Sequence, residues 1–477
     1  EDHISPGGTD ASDPVPTMDA SGNVVVVWEQ SDGSDNQIFG AEYRGGWWSY
    51  PSGLSSAISP SDSIALSPVP AKLGSSYAAI TWQQSDGSKY QIFKSEYRNG
   101  YWIHPSGLSD NLSPDGTNAN APRIAVDNNS NAVIAWEQWD GSHWQVYRAV
   151  GQGGYWTLPS SVTEKISPSG QNTDDTTLAM DSNGDTIIAW KQFDGNDWQI
   201  YMSERRGGIW SQPSDLPDAI SPAGEDADDP VVVMSDSGRA AIVWEQYDGS
   251  HWQIFKSEYS GGVWTHPADL SDNISLGDSD ALGIGVAMNR YGHMVIAWEQ
   301  DVGAYSQIFK AEFRGVVWAQ PVSLSESISP AGSDARGPAV AMDDYGTTII
   351  AWEQSDGSDD QIFISEYRNG VWTHPTGLSD AISPSGQTVS FTGLLAMDAD
   401  SSAVVAWTQS NGSHDQLFIS HYSGGGWSHP ADLTSSISPK GQSVNHPALA
   451  MNREGKIIIV WEQLDGSNTQ IYKSEYR

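Results

Sequence analysis

A tryptophan recurs through the whole chain at an almost constant interval. Eight spacings separate its nine copies; seven are 54 residues and one is 55. The copies are Trp28, Trp82, Trp136, Trp190, Trp244, Trp298, Trp352, Trp407 and Trp461. Self-similarity at a period of this length indicates a repeat architecture, in which each unit buries its apolar face against its neighbours. The chain therefore consists of nine copies of one structural unit.

Each copy of this tryptophan lies in a predicted β-hairpin. In the fifth copy the segment 240–259 reads AAIVWEQYDGSHWQIFKSEY, two apolar runs separated by Asp-Gly. This dipeptide is a strong hairpin signal, because glycine adopts the positive φ that the turn needs. A short strand precedes the hairpin, and another, around Trp264, follows it. Four antiparallel strands without helical periodicity predict a propeller blade.

We expect an all-β fold, a single nine-bladed β-propeller with four-stranded antiparallel blades, forming one domain over 1–477. The second strand is apolar without alternation, which indicates burial on both faces between neighbouring blades. The predicted blades are approximately 1–57, 58–111, 112–165, 166–219, 220–273, 274–327, 328–381, 382–436 and 437–477. An open solenoid and two smaller rings are the alternatives, and the uninterrupted phase of the repeat favours a single ring.

The two ends of the chain lead to an expectation about closure. The fourth-strand tryptophan occurs only eight times, and the sequence stops at Arg477 before a ninth copy. The last blade is therefore expected to have three strands. Closure is expected to rest on packing of the first blade against the ninth, without a strand exchanged between the termini. The polar start at Glu1 is interpreted as a processed or trimmed end.

Composition restricts the possible partners and chemistry. The chain has 23 basic and 60 acidic residues, a formal net charge of −37, and no cysteine. This charge argues against nucleic acid or an anionic membrane as the main partner. The missing cysteines exclude disulfides and thiol chemistry. No apolar run approaches the roughly 20 residues of a membrane helix. We expect a monomer, secreted by or displayed on a bacterial cell, without membrane insertion.

Residues present in every unit are assigned to the scaffold. Two glutamines meet this test, for example Gln246 after the hairpin tryptophan and Gln253 at the start of the third strand. They are predicted to face each other across the hairpin and to brace loop backbone; a ring of ligand-binding amides is the alternative. A glutamate beside the tryptophan, such as Glu245, recurs in six copies. Six equivalent copies do not make the carboxylate pair of a glycosidase.

Aromatic residues at the hairpin tips break the repeat. Blades 3, 4 and 5 each carry two of them, whereas the tips of the other blades carry at most one. Exposed aromatic patches usually meet a partner, and rings set among polar groups suit stacking on sugars or gripping a peptide. Cross-strand pairing that stiffens the turn is the alternative explanation. The candidate ligand-binding residues are Trp139, Trp144, Phe193, Trp198, Tyr247 and Trp252.

Acidic residues cluster in the loops before the first strands. Asp13, Asp175 and Asp229 are weak candidates for a metal site, because carboxylates can bind Ca²⁺. Their spacing matches no EF-hand loop, and solvated loop acids are the alternative. The sequence predicts no other cofactor and contains no Gly-x-Ser-x-Gly, His-Glu-x-x-His or Gly-rich phosphate motif.

One recurring pattern resembles a known group of proteins. Residues 181–190 read DSNGDTIIAW, and the pattern resembles tandem repeats of bacterial exported or surface proteins assigned loosely to sialidase-like propellers. The resemblance covers the whole chain and implies the fold. Two departures argue against sialidase activity: the Asp-box is only echoed at 365–372, and the arginines lie one per blade instead of converging on one carboxylate. These arginines are Arg44, Arg98, Arg314, Arg368 and Arg477.

The favoured hypothesis is a non-enzymatic binding scaffold whose ligand, a glycan or a peptide, docks on the hairpin tips of blades 3–5. The alternatives are a glycoside hydrolase or lyase that uses Asp175 and Asp229, and a purely structural repeat protein. Three departures from the repeat have no explanation in the sequence: Val302 and Asn411 at hairpin turns, and one residue added near Phe391.

Overall fold

The structure is a computed structural model that describes residues 3–71 and 77–476; Glu1 and Arg477 lie outside the described residues. The prediction of a nine-bladed β-propeller is confirmed. Seven blades contain four antiparallel strands in sequential order, blade 8 has the same arrangement with its first strand divided into two segments, and the ninth blade contains three strands. The chain divides into two compact units. One comprises 1–219, 445–452 and 456–477, hence blades 1–4 and most of blade 9. The other comprises 220–444 and 453–455, hence blades 5–8.

The strands of the nine blades occupy equivalent positions in the repeat. The first strands are Ala11–Met18, Ala65–Pro70, Ala119–Val126, Thr173–Met180, Ala227–Met234, Ala281–Met288, Ala335–Met342, Val389–Ser390 with Leu395–Met397, and Val444–Met451. The second strands are Val24–Ser31, Tyr77–Ser85, Ala132–Trp139, Thr186–Phe193, Ala240–Tyr247, Met294–Asp301, Thr348–Ser355, Ala403–Ser410 and Ile457–Leu464.

The third and fourth strands complete each blade. The third strands are Asn36–Arg44, Tyr90–Arg98, Trp144–Gln152, Trp198–Arg206, Trp252–Ser260, Ser306–Phe313, Asp360–Arg368, Asp415–Ser423 and Thr469–Tyr476. The fourth strands are Trp47–Ser49, Tyr101–Ile103, Tyr155–Thr157, Ile209–Ser211, Val263–Thr265, Trp318–Ala319, Val371–Thr373 and Gly426–Ser428. Single 3₁₀ turns occur at Leu54–Ser56, Leu216–Asp218, Leu324–Glu326 and Leu378–Asp380.

The second strand of a blade is buried on both faces, as its uninterrupted apolar sequence predicts. In blade 1, Val26 and Trp28 pack in one core cluster with Val460 of blade 9. Val25 and Val27 point the other way and pack with Trp82 of blade 2. Successive side chains of a strand point to opposite faces, so one strand contributes to two cores. Each blade is thus stabilised mainly by its neighbours.

The first blade contacts the ninth through hydrogen bonds as well as packing. The Ile4 N–H donates to the Ile471 carbonyl at 2.7 Å, and His3 forms a single β-bridge with Tyr472. The same contact links blade 1 to blade 2, where the Ile58 N–H donates to the Ile38 carbonyl at 2.8 Å. The first blade therefore packs against the ninth, as expected, and the N-terminal segment adds hydrogen bonds to the last blade. An open solenoid would lack this contact.

The three departures from the repeat have different structural consequences. Val302 and Asn411 keep the hairpin turn, with backbone N–H groups donating to the carbonyls of Tyr305 and His414 at 2.8 and 2.9 Å. The residue added near Phe391 interrupts the first strand of blade 8, which becomes two short strands paired with the same neighbour. The turn tolerates the exchange because its hydrogen bond is formed by backbone.

Candidate functional site

The invariant glutamines form the internal scaffold of the hairpin. Gln30 and Gln37 lie opposite each other across the turn, as predicted, and both are buried. The Gln30 side chain accepts a hydrogen bond from the Trp28 indole at 3.1 Å and donates to the Pro6 carbonyl at 2.6 Å. Gln37 donates to the Ser63 carbonyl of the next blade at 2.9 Å. These amides brace loop backbone and are withdrawn from the surface.

The glutamate beside the hairpin tryptophan supports the first strand of the following blade. The Glu29 carboxylate accepts the Ser67 N–H at 2.7 Å, and the Glu245 carboxylate accepts the Gly283 N–H at 2.7 Å. The residue that donates has left-handed backbone, and it lies where a bulge shifts the strand register. Such a bulge leaves an N–H outside the ladder, and the carboxylate satisfies it. These glutamates are therefore structural.

Burial raises the pKa of two of these glutamates, Glu137 and Glu245. Desolvation raises the pKa of Glu137 to about 7, although a hydrogen bond from the Thr176 N–H opposes the rise; Asp174 adds to it. Desolvation likewise raises the pKa of Glu245 to about 7, with repulsion from Asp229 adding to it. A low dielectric disfavours the charged carboxylate, and neighbouring negative charges act in the same direction. Both carboxyl groups are partly protonated at neutral pH.

The acids predicted as metal candidates occupy the left-handed position of this bulge. Asp13, Asp175 and Asp229 have φ values of 54°, 53° and 49°. Aspartate tolerates this conformation better than most residues, which gives these positions a structural reason for their composition. Asp175 forms an ion pair with Lys191 of its own blade, with an Nζ–Oδ2 distance of 2.6 Å. The Asp229 N–H donates to the Asp228 carboxylate at 2.9 Å.

Of the three metal candidates, Asp13 is the one that lies close to a histidine and a glutamate of the same unit. Ligand atoms of Asp13, His446 and Glu462 lie within 4.8 Å of one another. Glu462 Oε1 already accepts the Asp13 N–H at 2.6 Å and contacts His446 Nδ1 at 2.9 Å. His446 was not among the residues predicted from the sequence. Its signal is the repeat itself, because His446 occupies in blade 9 the position that Asp13 occupies in blade 1.

The hairpin tips of blades 3 and 4 present two aromatic pairs in the first unit. Trp139 lies opposite Trp144, with ring centroids 6.0 Å apart and planes at 69°. Phe193 lies opposite Trp198, with centroids 5.8 Å apart and planes at 60°. All four side chains are half-buried. In each pair the edge of one ring faces the other, the arrangement that aromatic quadrupoles favour.

Blade 5, in the second unit, carries a pair of the same kind. Tyr247 lies opposite Trp252, with centroids 6.0 Å apart and planes at 58°. All nine tip positions are among the described residues, and the other six pair at most one aromatic residue with a polar or aliphatic one. Pairing within each tip agrees with the alternative of a stiffened turn. It leaves unexplained why three consecutive blades alone have two rings.

Backbone hydrogen bonds hold the aromatic tips in place. In blade 3, the Trp139 N–H donates to the Asn118 carbonyl and the Trp144 N–H donates to Asn172 Oδ1 of blade 4, both at 2.9 Å. The Asp140 carboxylate accepts the N–H groups of Ser142 and His143 at 2.9 Å. The rings are therefore carried on a turn whose donors are satisfied. A preorganised turn loses little conformational entropy when a ligand binds.

The recurring histidines of the fourth-strand region pack against the scaffold. His104 and His374 stack on the preceding tryptophans, and each shares a hydrogen bond of 2.9 Å with a serine of the third strand. Desolvation lowers the pKa of both imidazoles. They are neutral packing residues.

Among the described residues, no helix is long and apolar enough to cross a membrane.

Comparison with known proteins gives similarity of fold only. No family model matches the chain, and a search of curated proteins gives no match. Among solved structures, the Hadza microbial sialidase Hz136 is 13% identical, with 70% of this chain and 73% of that chain covered and a TM-score of 0.36. A PL25 ulvan lyase is 10% identical (77% and 94% covered, TM-score 0.42). The Aleuria aurantia lectin is 16% identical (69% and 100% covered, TM-score 0.29). Similarity this low carries no argument about ligands or activity.

Proposed function

We propose that this protein is a non-enzymatic, exported binding scaffold, and that the hairpin tips of blades 3 and 4 receive a glycan. The observation that carries the proposal is the placement of Trp139, Trp144, Phe193 and Trp198 on the tips of consecutive blades. The only other tip with two aromatic residues, among all nine described tips, is that of blade 5. Half-buried rings on a braced turn offer flat apolar faces, which stack on the C–H face of a sugar.

The surroundings of the rings support a sugar over an extended apolar partner. Three polar groups lie beside the tips: the side-chain amide of Asn172, the carboxylate of Asp140 and the imidazole of His143. Sites that hold small polar ligands combine aromatic walls with a few polar groups. Lys191 Nζ lies over the Trp198 ring, 5.4 Å from the ring centroid, so one face of that indole is next to a positive charge. The net charge of −37 favours a neutral or positively charged ligand at these tips.

The hydrolase or lyase alternative has no comparable support. The Asp175 carboxylate is engaged by Lys191, and the carboxylates with strongly raised pKa values, Glu137 and Glu245, accept backbone hydrogen bonds in the scaffold. A glycosidase needs two carboxyl groups about 5–9.5 Å apart that face one substrate bond. These carboxylates therefore support a structural role and give no support to hydrolysis or elimination.

A glycan array followed by titration calorimetry on the best glycan tests the proposal. Trp144→Ala and Trp198→Ala should each weaken binding roughly tenfold or more, because aromatic anchors at the centre of a site contribute about 1.4 kcal/mol or more. Tyr90→Ala, at the equivalent tip position of blade 2, is the matched control and should bind normally. Trp252→Ala tests the blade 5 pair separately. Retention of array binding by the double variant Trp144→Ala/Trp198→Ala would reject the site, and binding of peptides alone would reject the glycan.

A further inference from the structure

A charged arrangement recurs where the third strand of one blade meets the fourth strand of the next. A lysine and a glutamate two residues apart on the third strand form an ion pair, and the lysine lies over the tryptophan of the next blade. The described examples are Lys94/Glu96/Trp156, Lys256/Glu258/Trp318, Lys310/Glu312/Trp372 and Lys473/Glu475/Trp48. In three of them the indole also donates to the glutamate, at 2.6–2.9 Å.

Between blades 3 and 4 this arrangement has lost its carboxylate. Arg148 stands where four other blades have lysine, and its guanidinium lies 4.0 Å from the Trp210 ring centroid. Val150 stands where the glutamate belongs, and Gln152 replaces the arginine that pairs with that glutamate elsewhere, as Arg44 does with Glu42. The cation over the tryptophan is kept, and the anion that neutralises it is replaced by an aliphatic side chain.

A second arginine comes to the same place from blade 4. Arg205 occupies a third-strand position that is aromatic in most blades, and its Nη1 donates to the Gly184 carbonyl at 2.8 Å. Arg314 of blade 6 makes the corresponding bond to the Gly346 carbonyl of the following blade. Arg205 therefore substitutes in space for the arginine that blade 3 lacks.

Neither arginine has a carboxylate within ion-pair distance among residues 3–71 and 77–476. Arg148 Nη1 donates to Gln212 Oε1 at 3.1 Å and approaches Ser203 Oγ at 3.5 Å. Uncompensated desolvation lowers the pKa of Arg148 to about 10. A buried or partly buried charge is normally paired, since its desolvation is otherwise unopposed. In a chain with 60 acidic and 23 basic residues, two arginines left without a carboxylate are unexpected.

The two arginines line a cavity of about 570 Å³, a size typical of small-ligand sites. Its other polar lining includes Lys165, Glu164, Gln212 and the Trp210 ring. Lys165 is hydrogen-bonded to Asp140, and the Glu164 carboxylate is engaged by the Ser160 N–H at 3.0 Å. The guanidinium groups are thus the donors left for a ligand.

We propose that this cavity between blades 3 and 4 binds an oxyanion, a carboxylate or a sulfate group, in the place of the missing scaffold glutamate. A guanidinium offers paired N–H donors that match the two oxygens of such a group. The cavity lining contains none of the aromatic tip residues, and the ligand carries the same sign of charge as the protein as a whole. A free inorganic ion and the acidic group of a sugar share this chemistry.

Equilibrium dialysis with labelled sulfate and with labelled glucuronate, at physiological ionic strength, tests the proposal. The salt screens the distant negative charges of the chain, because the Debye length is then about 8 Å. Val150→Glu is the decisive variant, since it restores the glutamate that seven other blades have at this position, and that carboxylate should pair with Arg148. Arg148→Gln removes the donor. Lys94→Gln, at the intact arrangement of blade 2, is the matched control.

The wild-type protein and Lys94→Gln should bind one anion per chain, and Val150→Glu and Arg148→Gln should weaken binding at least tenfold. Val150→Glu should also raise the unfolding temperature, which shows that it folds and pairs with Arg148. If both probes bind, the oxyanion group alone is sufficient for binding. If only glucuronate binds, the site recognises a sugar acid. Either result supports the site. No saturable binding of either probe, or unchanged binding by Val150→Glu, would overturn it.

Discussion

Replacing Glu245 by glutamine is expected to stabilise the protein above neutral pH. Glu245 is 7% exposed, and burial raises its pKa from the ordinary 4.5 to about 7. The folded state therefore binds the proton more tightly than the unfolded state. The contribution of this group to stability is fully present below pH 4.5 and is lost as the pH rises through about 7. At pH 8 the ionised carboxylate costs about 3 kcal/mol, whereas at pH 5 the cost is below about 1 kcal/mol.

Glutamine removes this cost without removing the hydrogen bond. The chain contains the replacement already: in blade 2 the equivalent residue is Gln83, whose side-chain oxygen accepts the Ala121 N–H at 3.2 Å. Glu245→Gln keeps an acceptor for the Gly283 N–H and ends the repulsion from Asp229. The uncharged amide therefore satisfies the bulge at every pH.

Urea denaturation of the wild type and Glu245→Gln at pH 5 and pH 8 measures the effect. The midpoint of the variant should lie well above that of the wild type at pH 8 and close to it at pH 5. Glu137→Gln should behave in the same way in the first unit. Glu312→Gln is the control of opposite sign, because Glu312 is bound by Lys310, Arg314 and an indole that hold its pKa low against desolvation. It should destabilise at both pH values. An equal midpoint shift for Glu245→Gln at both pH values would refute the reasoning.

Three further predictions concern packing, closure and calcium. Gly285→Ala should lower the free energy of unfolding by about 1–3 kcal/mol, because the new Cβ would lie 2.3 Å from the Pro338 carbonyl oxygen. A denaturation midpoint equal to that of the wild type would show that the two strands do not approach this closely. Ile4→Ala should lower the free energy of unfolding by about 2–5 kcal/mol, because Ile4 is 2% exposed in the core shared by blades 1 and 9. A loss of less than about 1 kcal/mol would show that this segment does not stabilise blade 9. Calcium should raise the unfolding temperature, and a chelator should reverse the rise. The rise should be smaller for Asp13→Ala than for the wild type, and the absence of any shift would reject the metal candidates.

The repeat could be predicted from the sequence because its signals are local. Asp-Gly turns, apolar second strands and a tryptophan at a constant interval are properties of segments shorter than one blade. The register that pairs Gln30 with Gln37 follows from the position of the turn between them. The aromatic pairs at the tips of blades 3, 4 and 5 follow in the same way, since the residues that flank a turn must face each other.

The roles of charged residues depended on contacts between blades, which no local pattern contains. The function of Glu29 is set by Ser67, 38 residues away, and the first blade reaches the ninth through a hydrogen bond between Ile4 and Ile471. That Arg148 has no carboxylate partner among the described residues is visible only when Val150 and Trp210 are placed side by side. Hydrophobic periodicity and turn chemistry act within a strand or a hairpin, and they determine the blade. Burial, pKa and charge pairing depend on what packs against the blade, and only the tertiary structure determines that.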